Sequence, residues 1–401
     1  MKYVVIIPDG ACDFPQKSLD GKTPLEAAKT PNMDFIAKNG QTGLMQTSFH
    51  NLPIGSIVAN MGILGYNPLE YYPNGRASFE ALAQGIELKK NDIVFRCNLI
   101  SVKKGRIVDF TSNMISDYLG RKIIESIKTD SGFELYPGQS YRNLLILRNA
   151  KFRASDIICF EPHMNIGEKV NERLPVGTTF DSIEYAKKLN KFILDSVKQL
   201  TSMNEKYATS ADMLWPWSPS HKPSIPSFEE KYGMKGGIVA GLDFMRGIGM
   251  AAAMEAEEIP GTTGYIDTDL KAKLNTAERM LEKMDFVFIH VNAPDEESHA
   301  QNTNKKIKSI ENIDKEIVGP IIKFLESTKE DFRIAIIVDH YTLLNDKTHN
   351  NKSVPFAIYG AGIKRNGSES YTEKEIERKS NGSLIKSYKF MKSFLSEDKI
   401  F

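Results

Sequence analysis

The chain has 401 residues, 41% of them hydrophobic, and sets 52 Lys and Arg against 51 Asp and Glu. That length suggests two domains, or one large α/β domain carrying an insertion, and the balanced charge argues against a nucleic-acid surface. Cys12, Cys97 and Cys159 form neither a CxxC pair nor a disulfide framework, which fits a reducing cytoplasm. The apolar run that opens the chain is too short for a signal peptide or a membrane span.

In chain order, residues 3–7 read as a buried strand that ends at Asp9. Thr23-Pro24-Leu25-Glu26 is a capping box with Pro at the first helical position, Thr30-Pro31 starts a second helix, and Asn39-Gly40 closes it. Pro53-Ile54-Gly55-Ser56 is a tight turn that places Ser56 at the start of another helix. Residues 93–98 and 143–147 look like strands, and an amphipathic helix runs through Leu189, Ile193, Val197 and Leu200. The core is expected to resume near Ala211 to Trp215, and the Ser- and Pro-rich segment from Pro216 to Pro226 reads as a surface loop. Residues 286–291 and 334–338 repeat the strand pattern. The first is followed by Asp295, the second directly by Asp339. Between them a helix begins near Asn304 and aligns Ile307, Ile310, Ile313 and Ile317, and a final helix is expected over about 386–395.

Unbroken β-branched and aromatic runs between helices are what central parallel strands look like, and ligands gather beyond the carboxyl ends of such strands. A single Asp after a strand more often caps a turn than binds anything. Here three strand ends deliver acids, and four of the seven histidines fall between 290 and 349. Asp295 and His299 stand four residues apart, on one face of a helical turn; Asp339-His340 follows a strand, and His349 comes shortly after. Carboxylate oxygen with imidazole nitrogen suits Zn²⁺, Mn²⁺ and similar ions. A serine hydroxyl at a helix start becomes a nucleophile beside such an ion, although an N-cap serine is the commoner thing.

Pro8-Asp9-Gly10, Gly21-Lys-Thr-Pro-Leu-Glu-Ala-Ala28, Thr30-Pro-Asn-Met-Asp34, Gly55-Ser56, Leu64-Gly65-Tyr66, Phe95-Arg-Cys-Asn-Leu99, Pro260-Gly-Thr-Thr-Gly264, Ala293-Pro-Asp295 and Asp339-His340 occur in the order found in archaeal-type cofactor-independent phosphoglycerate mutases, which the chain resembles over nearly its whole length. The resemblance implies an alkaline-phosphatase-like α/β core with a mostly parallel sheet, residues 1–87 and 206–401, and an inserted α/β cap, residues 88–205. It also implies two divalent metal ions (Mn²⁺ or Zn²⁺, with Mg²⁺ as a third option). Asp295, His299 and His349 would hold one; Asp9, Asp339, His340 and the Ser56 oxygen would hold the other. Ser56 would carry the phosphoryl group as phosphoserine between the hydroxyls of 3- and 2-phosphoglycerate. The implied partner is a small phosphorylated metabolite in the cytoplasm, with oligomeric state, including a homo-oligomer, left open.

The chain departs from the family pattern on the substrate side. Ile57 follows the serine where an acid is usual, Asn113-Met114 replaces Gly then Arg or His, and Met164 follows His163 where Asp is usual. Ser218 closes a Trp-Gly-like stretch, and Ser298 precedes His299 in place of Gly. Arg76, Arg96, Arg142, His163 and Lys306 are the anion contacts to expect, each weighed against an ordinary structural ion pair. These changes keep a second reading open: a relative acting on another phosphoryl substrate, as a homoserine kinase analogue, a phosphatase or a phosphonate hydrolase. A non-catalytic metalloprotein is a third.

Overall fold

The computed structural model describes residues 1–129, 132–380 and 383–396. Its contacts divide the chain into two units: residues 1–72 with 225–401, and residues 73–224.

The first unit is built on a seven-stranded sheet ordered Gly236–Val239, Phe286–Val291, Lys2–Pro8, Phe332–Ile337, Val354–Gly360, Gln41–Gln46 and Leu384–Lys386. Only Val354–Gly360 runs against the rest. Lys2–Pro8 lies in the middle, with Val5 opposite Phe288 on one side and Ala335 on the other. All seven of its residues are buried, as a strand covered on both faces requires. Because the central strands are parallel, their carboxyl ends share one edge. Asp9, Asn292 and Asp339 leave the sheet there.

The helices follow their local signals. Thr23 accepts from Glu26 N and its own N–H donates to the Glu26 side chain, closing the expected capping box on Pro24–Ala27. Pro31–Asn39 is capped from a distance, because Asp314 accepts from the N–H groups of Asn32 and Met33 while the Thr30 side chain caps nothing. Thr303–Ile313 buries Ile310 and Ile313 and passes through a π-helical turn at Asp314–Val318. The last helix is Ser387–Leu395.

The second unit has a five-stranded sheet in which Ile93–Lys103 pairs with Arg142–Leu147, Arg106–Asp109 and Met213–His221. Alternation along the strands sends Val94, Leu144 and Ile146 to one face, against Ala77 and Ala81. Phe95, Cys97 and Leu145 go to the other face, against Leu189, Phe192 and Ile193 of the long helix Phe180–Tyr207.

The contact boundaries are wider than the expected 88–205. Ala77–Ala83 packs on the cap sheet, and Met213–His221 is one of its strands. Residues 211–215 therefore do not return to the core, and 216–221 is not a surface loop: Trp217 is buried and pairs with Arg96. Two prolines hid this strand. It lies along the free side of Ile93–Lys103, where a missing N–H is tolerated.

Candidate active site

Ser56 is the first residue of the helix Ser56–Ile63, and Gly55 is the N-cap. Its hydroxyl therefore has no capping duty. It points instead at the sheet edge, 3.0 Å from His340 Nε2 and 3.2 Å and 3.3 Å from the two oxygens of Asp9.

Asp9, Asp339 and His340 form one group of potential ligand atoms, all buried; Asp295, His299 and His349 form a second. Their partners fix how they face. Asp339 accepts from Gly10 N, His340 N and Asn60 Nδ2 at 3.0–3.1 Å. Asn60 Nδ2 also reaches the carbonyl of Ser56, so one amide ties the serine helix to the Asp339 carboxylate. In the second group, Nδ1 of His299 meets Lys347 O and Nδ1 of His349 meets Ile54 O, at 3.0 Å and 2.9 Å. A carbonyl only accepts, so both rings carry a proton on Nδ1 and turn Nε2 towards Asp295, as an N–H donor when the ring is charged and as a lone pair when it is neutral. Those Nε2 atoms lie 3.4 Å and 3.3 Å from its carboxylate.

Gly10 sits between the groups with φ +63°, and a Cβ there would lie 2.5 Å from Thr342 Oγ1 and 2.8 Å from Asp295. Only glycine meets both demands.

The electrostatics are those of charge gathered in a dry place. Burial, then the charges of Asp339 and Asp295, push the Asp9 carboxyl well above its usual range. Asp295 goes the other way: burial works against its charge, but hydrogen bonds from His299 and His349 hold it well below. Burial likewise opposes protonation of His299 and His349, yet Asp295 leaves both raised.

Three contributors escape a sequence reading. His290, at the end of Phe286–Val291, is wholly buried, with Nε2 3.3 Å from Asp9 Oδ2 but no ring nitrogen in hydrogen-bonding geometry. Burial brings it down to about 4, so it is neutral. Asn60 and Thr342 donate to Asp339 and Asp295 through side chains of a common type. A histidine closing an apolar strand was the one available signal.

The expected anion contacts divide. In the second unit, Arg96 pairs with Glu80 at 3.0 Å and lies 4.7 Å over the Trp217 ring, with Arg76 5.9 Å over the same ring. His163 meets Trp217 edge-on and pairs with Glu161; Arg142 lies over Tyr141. Burial, then the charges of Arg76 and Arg142, bring Arg96 down to about 10 despite Glu80. Ser112, Asn113 and Met114 all have positive φ, and so does Ser218. Two departures from the family pattern, Asn113 and Ser218, thus stand where the pattern has Gly and the backbone is left-handed. Lys306 is a correction. It is fully buried in the first unit, and Nζ donates to Asp13, Cys12 O and Thr342 O. With its three donors occupied inside the fold, it has none for a substrate.

A half-buried serine flanked by two carboxylate–imidazole groups at the carboxyl edge of a parallel sheet defines a metal-dependent phosphoryl-transfer enzyme. The sequence profile of 2,3-bisphosphoglycerate-independent phosphoglycerate mutase matches residues 37–204. A phosphoglycerate mutase of that name from Methanosarcina barkeri is 39% identical over 96% of this chain and 97% of its own. The solved cofactor-independent phosphoglycerate mutase of Thermoplasma acidophilum is 26% identical, with a TM-score of 0.65 over 98% of this chain and 99% of its own. A Pyrococcus horikoshii protein of known structure aligns over 100% of this chain and 98% of its own, at 25% identity and a TM-score of 0.78. The chain belongs to the 2,3-bisphosphoglycerate-independent phosphoglycerate mutase family, an enzyme family of the isomerase class. No helix among the described residues is long and apolar enough to cross a membrane.

Proposed function

We propose that the protein interconverts 3- and 2-phosphoglycerate, with Ser56 carrying the phosphoryl group between the two hydroxyls. The observation behind this reading is the placement of Ser56 Oγ within 3.0–3.3 Å of His340 and Asp9, released from any capping role, in a chain of this family.

The donor sets suit divalent cations. Two facing imidazole nitrogens with a carboxylate, and two carboxylates packed together with imidazoles whose burial disfavours their charge, both call for a cation. Asp295, His299 and His349 would hold one ion; Asp9, Asp339, His340 and the Ser56 oxygen would hold the other, as Mn²⁺ or Zn²⁺, with Mg²⁺ the harder alternative. When bound, such ions lower the pKa of the serine hydroxyl and neutralise charge on the transferring phosphoryl group.

The chain's own residues orient the reaction. The Ser56 hydroxyl donates its single proton to Asp9, with His340 Nε2 3.0 Å from the same oxygen, so the proton to be lost is already directed at that group. As the Oγ–P bond forms, the ester P–O bond breaks, and the proton lost from Oγ balances the one gained by the departing glycerate oxygen. Return of the phosphoryl group to the neighbouring hydroxyl reverses each step and frees Ser56. A glycerate carboxylate needs its own cation. Arg76 and Arg96, held beside Trp217, are the arginines proposed for that role. Family membership along nearly the full length favours the mutase over the kinase, phosphatase and non-catalytic readings.

The test is conversion of 3- to 2-phosphoglycerate by the Mn²⁺-replete full chain, with peptide mass spectrometry after rapid quenching. We expect one added phosphoryl group on the Ser56 peptide. Ser56→Ala should lose on the order of 10⁴-fold or more in turnover while still binding Mn²⁺. Near-normal turnover in that variant would overturn the covalent route, and absence of 2-phosphoglycerate would overturn the substrate.

A further inference from the structure

Thr342 stands between the two ligand groups. Its hydroxyl donates to Asp295 Oδ1 at 2.6 Å and lies 3.1 Å from His340 Nδ1. A hydroxyl has a single proton. With that proton on Asp295, the oxygen accepts from Nδ1–H of His340, which leaves His340 Nε2 as the lone-pair nitrogen facing Ser56 and Asp9. Asp295 belongs to one group and His340 to the other, so one oxygen sets the geometry of both.

The side chain is held in place from several directions. Its N–H donates to Cys12 O at 3.1 Å, its carbonyl accepts from Lys306 Nζ at 2.8 Å, and Gly10 leaves no room beside Oγ1. The residue is wholly buried, so no solvent replaces either contact. A β-branched side chain so enclosed has one rotamer.

We propose that Thr342 is a positioning residue that couples the two cation sites, so that an ion held by Asp295 favours the His340 tautomer and orientation needed at the other site. The inference rests on the two-ion reading above. Thr342→Val keeps the shape and removes the link; Thr342→Ser keeps the link and removes only a methyl group.

The experiment is a Mn²⁺ titration of the chelator-stripped full chain, with free ion followed by electron paramagnetic resonance and folding checked by circular dichroism. Wild type should take up two ions in one steep isotherm, and Thr342→Ser should match it. Thr342→Val should show two separated steps, the weaker reduced about tenfold or more. If Thr342→Val does not fold, Thr342→Ala is read in the same way. A Thr342→Val isotherm equal to wild type overturns the coupling, as does a Thr342→Ser loss as large as that of Val. Those outcomes leave the two-ion reading intact. Wild type that binds no Mn²⁺ sinks both.

Discussion

The Nε2 atoms of His299 and His349 face each other at 3.1 Å, while each Nδ1 is committed to a main-chain carbonyl. Two lone pairs at that distance repel unless a proton or a cation stands between them. Asp295, held well below its usual range beside them, is the counter-charge for either.

Cation binding should therefore displace protons. Asp295 raises both imidazoles above 6.5, and a ligating imidazole must be neutral. Mn²⁺ affinity should weaken as pH falls through those raised values, and calorimetry in buffers of different ionisation enthalpy should register proton release. The imidazoles' contribution to stability should take opposite signs in the chelated and the Mn²⁺-loaded protein. In the chelated protein an imidazole with a raised folded value stabilises fully below 6.5, and that contribution disappears as pH rises through the folded value. His290 and His340 are lowered, so they change protonation below 6.5 and do not interfere above it. Burial lowers Lys273 to about 7, which adds the same pH dependence to both forms, so the diagnostic quantity is their difference. The melting temperature of the chelated protein should fall relative to that of the Mn²⁺-loaded protein as pH rises through this window. Parallel curves would count against ion binding at these imidazoles.

Gly10→Ala should damage both ligand groups at once. The left-handed backbone alone costs a non-glycine residue about 1–2 kcal/mol. The added methyl would also sit 2.5 Å from Thr342 Oγ1 and 2.8 Å from Asp295, and Gly10 N is a donor to Asp339. Chemical denaturation should show a loss of at least that size, with Mn²⁺ affinity down about tenfold or more. Wild-type affinity would mean that the backbone here is not part of the site.

How much of this could be read from the chain depends on where each signal is stored. Asp9, Asp295 and Asp339 were legible because buried strands announce themselves as apolar runs and a parallel sheet brings their ends together. Ser56 was legible as a helix start, but not as a residue freed from capping, since that depends on Gly55 taking the N-cap position. Asn60 and Thr342 gave no signal: their partners Asp339 and Asp295 lie 279 and 47 residues away, and amides and hydroxyls are common. Lys306 misled because a helical lysine gives no hint that Asp13 waits in the core. The cap boundary failed at Met213–His221, where two prolines and a serine with φ +51° looked like a loop.

That same strand carries a prediction about the substrate. Its pairing with Ile93–Lys103 slips between Val94 and Arg96, next to left-handed Ser218, and the irregularity sets Trp217 opposite Arg96. Irregularities of this kind re-aim side chains. Trp217 is then fixed by Asn98, which accepts from its indole N–H at 2.9 Å. Trp217→Leu removes the platform under Arg96 and Arg76, worth about 0.5–2 kcal/mol of cation–π attraction. We expect KM for 3-phosphoglycerate to rise by about two- to thirtyfold, on the same scale, with kcat little changed; Trp217→Phe should fall between. A drop in kcat at constant KM would remove these arginines from the ground-state binding of substrate.

Lys306→Met separates a structural cation from a substrate contact. Lys306 Nζ lies 3.2 Å from Asp13 Oδ2, with both side chains essentially inaccessible. Burial lowers the lysine while Asp13 supports its charge. Methionine fills a similar volume but leaves the Asp13 carboxylate without its cation, and removing one partner of a buried pair costs about 3–5 kcal/mol. Asp13 also accepts from Leu344 N, in the loop that leads towards His349, and Lys306 itself holds the carbonyl of Thr342. The variant should therefore unfold at markedly lower denaturant and bind Mn²⁺ less tightly, while KM for 3-phosphoglycerate in the ion-saturated enzyme stays within about twofold, because uniform substrate binding is untouched. A KM raised tenfold in a variant of normal stability would return Lys306 to the substrate pocket.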